Sequence, residues 1–361
     1  MRRLVASGIA VACLSLLAPL TAHAESATAS ESPSTPHNIL QLGDSYSSGN
    51  GAQNYTDTNC YRSPNNYGAV TAERLGASYT NRACSGAQSK DFYSSQSLGW
   101  KKSVTKTYVL PKSTYPDQPA EWQRRVEESQ ICGALPEGNF AWDIRQVAPA
   151  PAGSLYTATA ECHLYALPQL DAVTPDYDSV FLTIGGNDAN FFGIIVSCFI
   201  GRDASSCQQR MNEAAVTVDT FRTRLTTLLR DIDERAAGNA DIYLLSYPDL
   251  LSTPSYTLPE GPAGWFDAGT TLRTLQARYT DLQSSIISDL NKANGTTRFH
   301  LVDIRDAFDG HGLDPHMAAS QDHSWISAPF ASTDLMGYMH PTPSGWAAEA
   351  DTLTDAILAQ R

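Results

Sequence analysis

The sequence predicts an α/β protein whose central parallel sheet is covered by helices on both faces. Three observations carry this reading. Four short runs, Asn38–Leu42, Ser179–Ile184, Asp241–Leu245 and Arg298–Asp303, are dense in β-branched and large apolar residues, and most end at Gly, Ser or Pro. Near-continuous apolar runs of this length mark strands buried on both faces. The long segments between them keep a helical period. In 208–236 it is carried by Met211, Ala215, Val218, Phe221, Leu225, Leu228, Leu229 and Ile232. In 268–293 it is carried by Leu272, Leu275, Tyr279, Leu282, Ile286 and Leu290. The final stretch, 344–360, places Trp346, Ala350, Leu353 and Ile357 on one face. Strands alternating with long helices imply parallel pairing, and ligands in such sheets bind beyond the carboxyl ends of the strands.

The N-terminus points to export. Arg2 and Arg3 precede an apolar run from Leu4 to Leu20, and Ala22-His23-Ala24 supplies a small-x-small cleavage pattern. This is the layout of a signal peptide over residues 1–24. The run falls short of the ~20 apolar residues a stable membrane anchor needs. Residues 25–36, ESATASESPSTP, read as a disordered spacer. Residues 37–361 then form one domain. Within it, residues 89–174 have no sustained period and are rich in Pro, Tyr and Trp. They read as a loop-rich insertion. Trp100, Trp122 and Trp142 either line a substrate wall or make a small core of their own.

Charge and cysteine content narrow the class. Removing residues 1–24 takes away Arg2 and Arg3 and no acid, leaving 23 basic against 38 acidic residues, a formal charge of −15. Such a chain has no electrostatic reason to bind nucleic acid. A monomer acting on a small-molecule or lipid ester fits this balance. Beyond Cys13 there are six cysteines, Cys60, Cys84, Cys132, Cys162, Cys198 and Cys207. An even number in an exported chain predicts three disulfides, and the shortest-loop pairing is 60–84, 132–162 and 198–207.

Four segments carry chemistry. The first strand runs into Gly43-Asp44-Ser45-Tyr46-Ser47-Ser48-Gly49, which places Ser45 at the mouth of the sheet. Arg82-Ala83-Cys84-Ser85-Gly86-Ala87 offers a glycine turn. Ile184-Gly185-Gly186-Asn187-Asp188 follows the second clear strand, and Met339-His340-Pro341 precedes the last helix. A serine hydroxyl needs a base to become a nucleophile. An imidazole titrates near neutrality and can take that proton and return it to the leaving group. The N–H groups of Ser45 and Gly86 and the side chain of Asn187 would stabilise an oxyanion, at ~3–4 kcal/mol for each donor. Asp44 and Asp188 read as turn-forming residues.

GDSYSSG, the ACSGA turn, GGND and the late His-Pro pair together resemble the four sequence blocks of the SGNH (GDSL) hydrolase family. Spacing and the six cysteines bring the chain nearest to its exported actinobacterial esterases and lipases. The resemblance spans most of 38–360 apart from 89–174. It implies a flavodoxin-like, three-layer α/β/α fold and cofactor-free ester hydrolysis. It assigns Ser45 as nucleophile, His340 as base, and Ser45, Gly86 and Asn187 as the oxyanion hole. One departure stands out. The family commonly has Asp three residues before the His, where this chain has Gly337. Some exported members use a main-chain carbonyl there instead, which implies a Ser45–His340 dyad with the Gly337 carbonyl orienting the ring. Asp334 as a third member is the alternative.

Ser45 lacks the G-x-S-x-G elbow of the α/β-hydrolases, because Ser47 occupies the last glycine position. The loop 309–323 gathers His311, His316 and His323 among Asp309, Asp314 and Asp322. Its spacing matches no metal motif, so no metal is expected. Two other functions share these residues: a carbohydrate acetyl esterase, and a non-catalytic binding module on the same scaffold. The absence of an obvious amphipathic lid favours a soluble ester.

Overall fold

A computed structural model of the chain describes residues 36–109, 128, 130–152, 155–261, 264–316, 321–328 and 334–360. The expected leader, nearly all of the expected spacer, and Trp122 lie outside the described residues. In chain order the elements are β1 (Asn38–Gly43), α1 (Ser45–Ser48), α2 (Tyr67–Leu75), β2 (Ser78–Asn81), β3 (Gln96–Val109), β4 (Phe140–Ala152) and β5 (Leu155–Ala166). There follow β6 (Ser179–Thr183), α3 (Phe191–Ile194), α4 (Ala204–Thr220), α5 (Arg222–Arg235), β7 (Asp241–Leu245), β8 (Thr257–Glu260) and β9 (Gly264–Asp267). The chain continues through α6 (Ala268–Asn294), β10 (Phe299–Val302) and α7 (Pro343–Leu358).

Five strands form the central sheet in the order β10-β7-β6-β1-β2, and every pair is parallel. Counted from the other edge this is the flavodoxin-like strand order. Successive strand residues alternate between two cores. Ile39, Phe181, Tyr243 and Val302 share one with Trp346, Ala350 and Leu353 of α7. Leu40, Leu42, Val180, Leu182, Ile242 and Leu244 share the other with Leu225, Leu228 and Ile232 of α5 and Ile286 and Leu290 of α6. The sheet is therefore the middle of three layers, as the resemblance implies.

The four apolar runs and the two long helical segments after residue 260 form the expected strands and helices. The periodic stretch 208–236 divides into α4 and α5 at Phe221. Among the elements that the sequence reading does not name are β2 and α2. β2 is a polar edge strand, Ser-Tyr-Thr-Asn, so it lacks an apolar run. α2 is short, with Asn66 as N-cap and Gly76 as a left-handed C-cap.

Among the described residues the insertion is built on a sheet and not, as the sequence reading expects, mainly on loops. β3, β5 and β4 form an antiparallel sheet in that order. Alternation is confined to short stretches: Phe140, Trp142 and Ile144 alternate with Ala141, Asp143 and Arg145, and Cys162 and Leu164 with Glu161 and His163, while β3 shows none. The sheet closes over a small core around the Cys132–Cys162 disulfide. Its other end packs Phe140 and Leu164 against the Cys60–Cys84 disulfide. The rings of Trp100 and Trp142 lie 5.0 Å apart, and Trp142 joins both small cores. The third bridge is Cys198–Cys207. All three pairs are those of the shortest-loop solution.

Loop closure ranks these bridges. Cys60 and Cys84 are 24 residues apart, Cys198 and Cys207 only 9. Replacing both members of 60–84 by Ala should cost about 3 kcal/mol on the chain-entropy relation, and replacing 198–207 less. Urea titration of the two double variants measures this, and the reverse ranking would contradict it.

Candidate active site

The chain leaves β1 toward β2 on one side and comes back to β6 on the other, so a crevice opens between the ends of β1 and β6. Ser45 lies at the end of β1 and Asn187 beyond the end of β6. The two exits are bound tightly together. Asp44 donates its N–H to the Thr183 carbonyl at 3.1 Å. Ser47 Oγ accepts from the Thr183 N–H at 2.8 Å. The buried Gln169 amide bonds both the N–H and the carbonyl of Gly43, at 2.7 and 2.9 Å. Gly43 has φ +118°, and a Cβ there would fall 2.4 Å from Ser47 Oγ and from the Thr183 carbonyl. Only glycine allows the strand ends to come this close.

Asp44 caps α1, as expected of a turn residue. Its Oδ1 accepts from the Tyr46 N–H at 2.9 Å and its Oδ2 from the Tyr247 hydroxyl at 2.5 Å. Burial pushes its carboxyl up to about 7, against the pull of these donors. Asp188 is likewise structural, accepting from the N–H and hydroxyl of Ser89 at 2.9 and 2.6 Å.

The three predicted oxyanion donors sit on neighbouring turns. The Gly86 turn is fixed by Cys84 N–H to the Gly43 carbonyl, 3.1 Å, and Ala87 N–H to the Cys84 carbonyl, 3.0 Å. Gly86 adopts φ +79°. The Asn187 amide donates to the Ala87 carbonyl at 2.9 Å, which ties this side chain to the Gly86 turn and leaves a second amide hydrogen. Among the described residues the N–H groups of Ser45 and Gly86 have no protein acceptor.

His340 reaches the same crevice from the far end of the chain. Its ring lies 4.7 Å from that of Tyr46, the neighbour of Ser45, and the Tyr46 hydroxyl donates to the Met339 carbonyl. Nδ1 is 2.9 Å from the Tyr338 carbonyl. A carbonyl only accepts, so Nδ1 carries the proton and Nε2 presents a lone pair. This corrects the expectation for Gly337, whose carbonyl instead accepts the main-chain N–H of His340 at 2.9 Å. The physical cause is a change of chain direction. Leu335–Gly337 forms one 3₁₀ turn, and Met339 adopts φ +59°, which swings the Tyr338 carbonyl toward the ring. Asp334, the alternative third member, makes no hydrogen bond to the ring among the described residues, though its charge acts on the imidazole. It caps the 3₁₀ turn at Met336 N–H, 3.1 Å, and accepts from the Tyr55 hydroxyl.

Nε2 is buried and has no hydrogen-bond partner, and no hydrogen bond joins it to Ser45 Oγ among the described residues. Catalytic hydrogen bonds of this kind often tighten only when substrate arrives. Burial pushes the imidazole down to about 4, against the Tyr338 carbonyl and the charge of Asp334. Tyr46, Tyr247 and Tyr338 are not among the residues that the sequence singles out. Tyr247 follows β7, so the strand-end rule could have flagged it; Tyr46 and Tyr338 lie beside the motif residues.

The described residues of the loop 309–323 form no comparable centre. His311 Nδ1 lies 2.9 Å from the His323 carbonyl, its ring stacks on Trp325 at 3.6 Å, and the His316 ring packs on Tyr256. Among the described residues no group of three His, Cys, Asp or Glu side chains could hold a metal ion.

A base must be neutral to act, so a lowered pKa extends activity toward acid. For a neutral ester, kcat/KM should fall with an acid midpoint near 4, not the ~6.5 of a free imidazole. A profile from pH 3 to 8 measures this, and a midpoint at or above 6.5 would contradict it.

Comparison with known proteins agrees with this fold. The model of the family described as GDSL-like Lipase/Acylhydrolase matches residues 39–352. The chain is 27% identical over 180 residues to Lipase 1 of Streptomyces coelicolor, an alignment covering 49% of this chain and 59% of that protein. It resembles the crystal structure of an extracellular lipase from Streptomyces rimosus with a TM-score of 0.53 at 22% identity, covering 89% of this chain and 99% of the other. A phospholipase A1 from Streptomyces albidoflavus gives 0.54 at 22% identity over the same shares. The match over most of the chain, on a sheet whose strand ends carry the family's own motif residues, establishes that this chain belongs to the GDSL-like lipase/acylhydrolase family.

Proposed function

We propose that this protein is a secreted serine hydrolase that cleaves carboxylic esters of extended acyl chains through Ser45 and His340. The observation that carries the acyl-chain part is a narrow apolar pocket of about 70 Å³ beside the crevice. Tyr46, Gly185 and Gly186 form its end nearest Ser45 and Asn187, and Ala189, Phe191, Ile194, Val218, Leu272 and Leu275 line its walls. The segment 191–200 leaves Phe192, Val196 and Ile200 exposed on its other side, which favours a lipid ester over the soluble ester expected from the sequence. Export is supported by three disulfides in the folded chain.

The chemistry follows from the site. His340 Nε2 takes the Ser45 proton as Oγ attacks the ester carbonyl. The oxyanion is met by the N–H groups of Ser45 and Gly86 and by the Asn187 amide. The imidazolium, held by the Tyr338 carbonyl, returns the proton to the departing alkoxide and leaves an acyl-Ser45. Water, deprotonated by the same nitrogen, then releases the acid.

Each methylene buried in the cavity is worth about 0.8 kcal/mol, close to fourfold in kcat/KM. Within a series of p-nitrophenyl esters, octanoate should therefore exceed acetate by more than tenfold, and acetylated xylan should be a poor substrate. A fluorophosphonate probe should label wild type at Ser45 and fail on Ser45→Ala. Preference for acetylated xylan would replace this reading with a carbohydrate esterase. Failure to label Ser45, with no ester turned over, would leave the binding-module reading.

A further inference from the structure

Ser246-Tyr247-Pro248 follows β7 and belongs to none of the four motif segments. The Tyr247 hydroxyl nevertheless touches two of them. It donates to Asp44 Oδ2 at 2.5 Å and accepts the Gly186 N–H at 2.7 Å. Asp44 Oδ1 in turn accepts the Tyr46 N–H at 2.9 Å. One chain of hydrogen bonds therefore runs from the Gly186 peptide, beside Asn187, through the phenol and the carboxylate, to the peptide that follows Ser45. The Tyr247 ring also packs edge-on against Tyr46 at 5.1 Å. Gly186 leaves room for this approach, since a Cβ there would lie 3.0 Å from the phenol oxygen.

We infer that Tyr247 is a positioning residue whose hydroxyl sets the spacing between the nucleophile turn and the turn that carries the Asn187 donor. The two turns come from different strands, and an oxyanion hole works only if its donors lie within hydrogen-bond distance of one developing charge. The phenol is suited to this because it donates and accepts through one oxygen on a rigid ring. Phenylalanine would keep the ring but leave the Gly186 N–H and Asp44 Oδ2 without this partner. Displacing a catalytic group by about 1 Å can cost 10²-fold in rate.

The inference rests on the proposed roles of Ser45 and Asn187, and the test separates the two. Tyr247→Phe, checked for folding by its melting curve, should lower kcat for p-nitrophenyl butyrate by roughly tenfold or more, with KM within twofold, as expected when transition-state contacts alone weaken. Asp44→Asn still caps α1 but cannot accept from both donors through oxygen. It should show the same kcat-limited loss, which keeps the test decisive if Tyr247→Phe does not fold. The double variant should be no worse than the poorer single one, because both break one chain. A folded variant of either kind with wild-type kcat would overturn the inference, as would a loss confined to KM or multiplicative losses in the double variant. If wild type carries the fluorophosphonate label on Ser45 and Tyr247→Phe is fully active, only the role of Tyr247 falls. If Ser45 is not labelled in wild type, the assignment of the site itself falls.

Discussion

The site depends on the path of the chain from Asp334 to His340, because that path decides what faces Nδ1. Three carbonyls of this segment face side chains. Met336 accepts from the Asn50 amide at 3.0 Å, Met339 from the Tyr46 hydroxyl, and Tyr338 faces the ring. Ser327 holds the segment from the other side, donating to the His340 carbonyl and accepting from the Met339 N–H at 2.9 and 3.0 Å. The segment is docked so closely that a Cβ on Gly337 would lie 3.1 Å from Gly51 Cα and 3.3 Å from an Asp334 oxygen. A Cβ on Gly51 would meet the Pro341 carbonyl at 2.5 Å. Position 337 is thus packed closely against the loop that follows Ser45, and a side chain there would need its neighbours to shift by a few tenths of an ångström.

Replacing a carboxylate by a carbonyl changes the electrostatics of the base. A carboxylate would stabilise the imidazolium strongly but would itself have to be desolvated beside a buried ring. A carbonyl fixes the same tautomer without adding a charge. The consequence is a ring biased to its neutral form, with burial outweighing the attraction of Asp334. An unpartnered buried nitrogen costs on the order of 1–3 kcal/mol. Such groups concentrate at functional sites, and this one is the atom the proposed reaction needs. Asp44 shows the same balance in a carboxyl: burial raises it, and donors from Tyr46 and Tyr247 hold it back.

Much of this is legible in the amino-acid order. Apolar runs such as Ser179–Thr183 are strands because both faces are buried, and that burial forces the composition. Glycine turns at strand ends are visible for a similar reason: Gly43 admits no side chain. The insertion hides its sheet because alternation is limited to short stretches such as Phe140–Arg145, while β3, rich in Lys, Ser and Thr, shows none. The carbonyl that faces Nδ1 lies one residue later than the motif spacing suggests. A main-chain acceptor has no identity in the sequence, and the turn that selects Tyr338 depends on a positive φ at Met339, a residue type that gives no warning of one. Tyr247 is marked only by its place after the end of β7, and the partner of its hydroxyl lies 203 residues away in the chain, where no local pattern shows it.

A peptide carbonyl, not a carboxylate, faces Nδ1 of His340, the base of the proposed reaction. Asp334→Asn decides it, because asparagine can still cap the 3₁₀ turn and meet Tyr55 while the negative charge is gone. With kcat measured on one activated ester at neutral pH, this variant should stay within about tenfold of wild type, while His340→Ala should lose several orders of magnitude, as triad and dyad bases do. A loss in Asp334→Asn comparable to that of His340→Ala would make the carboxylate the partner of the imidazole and strip the Tyr338 carbonyl of its role.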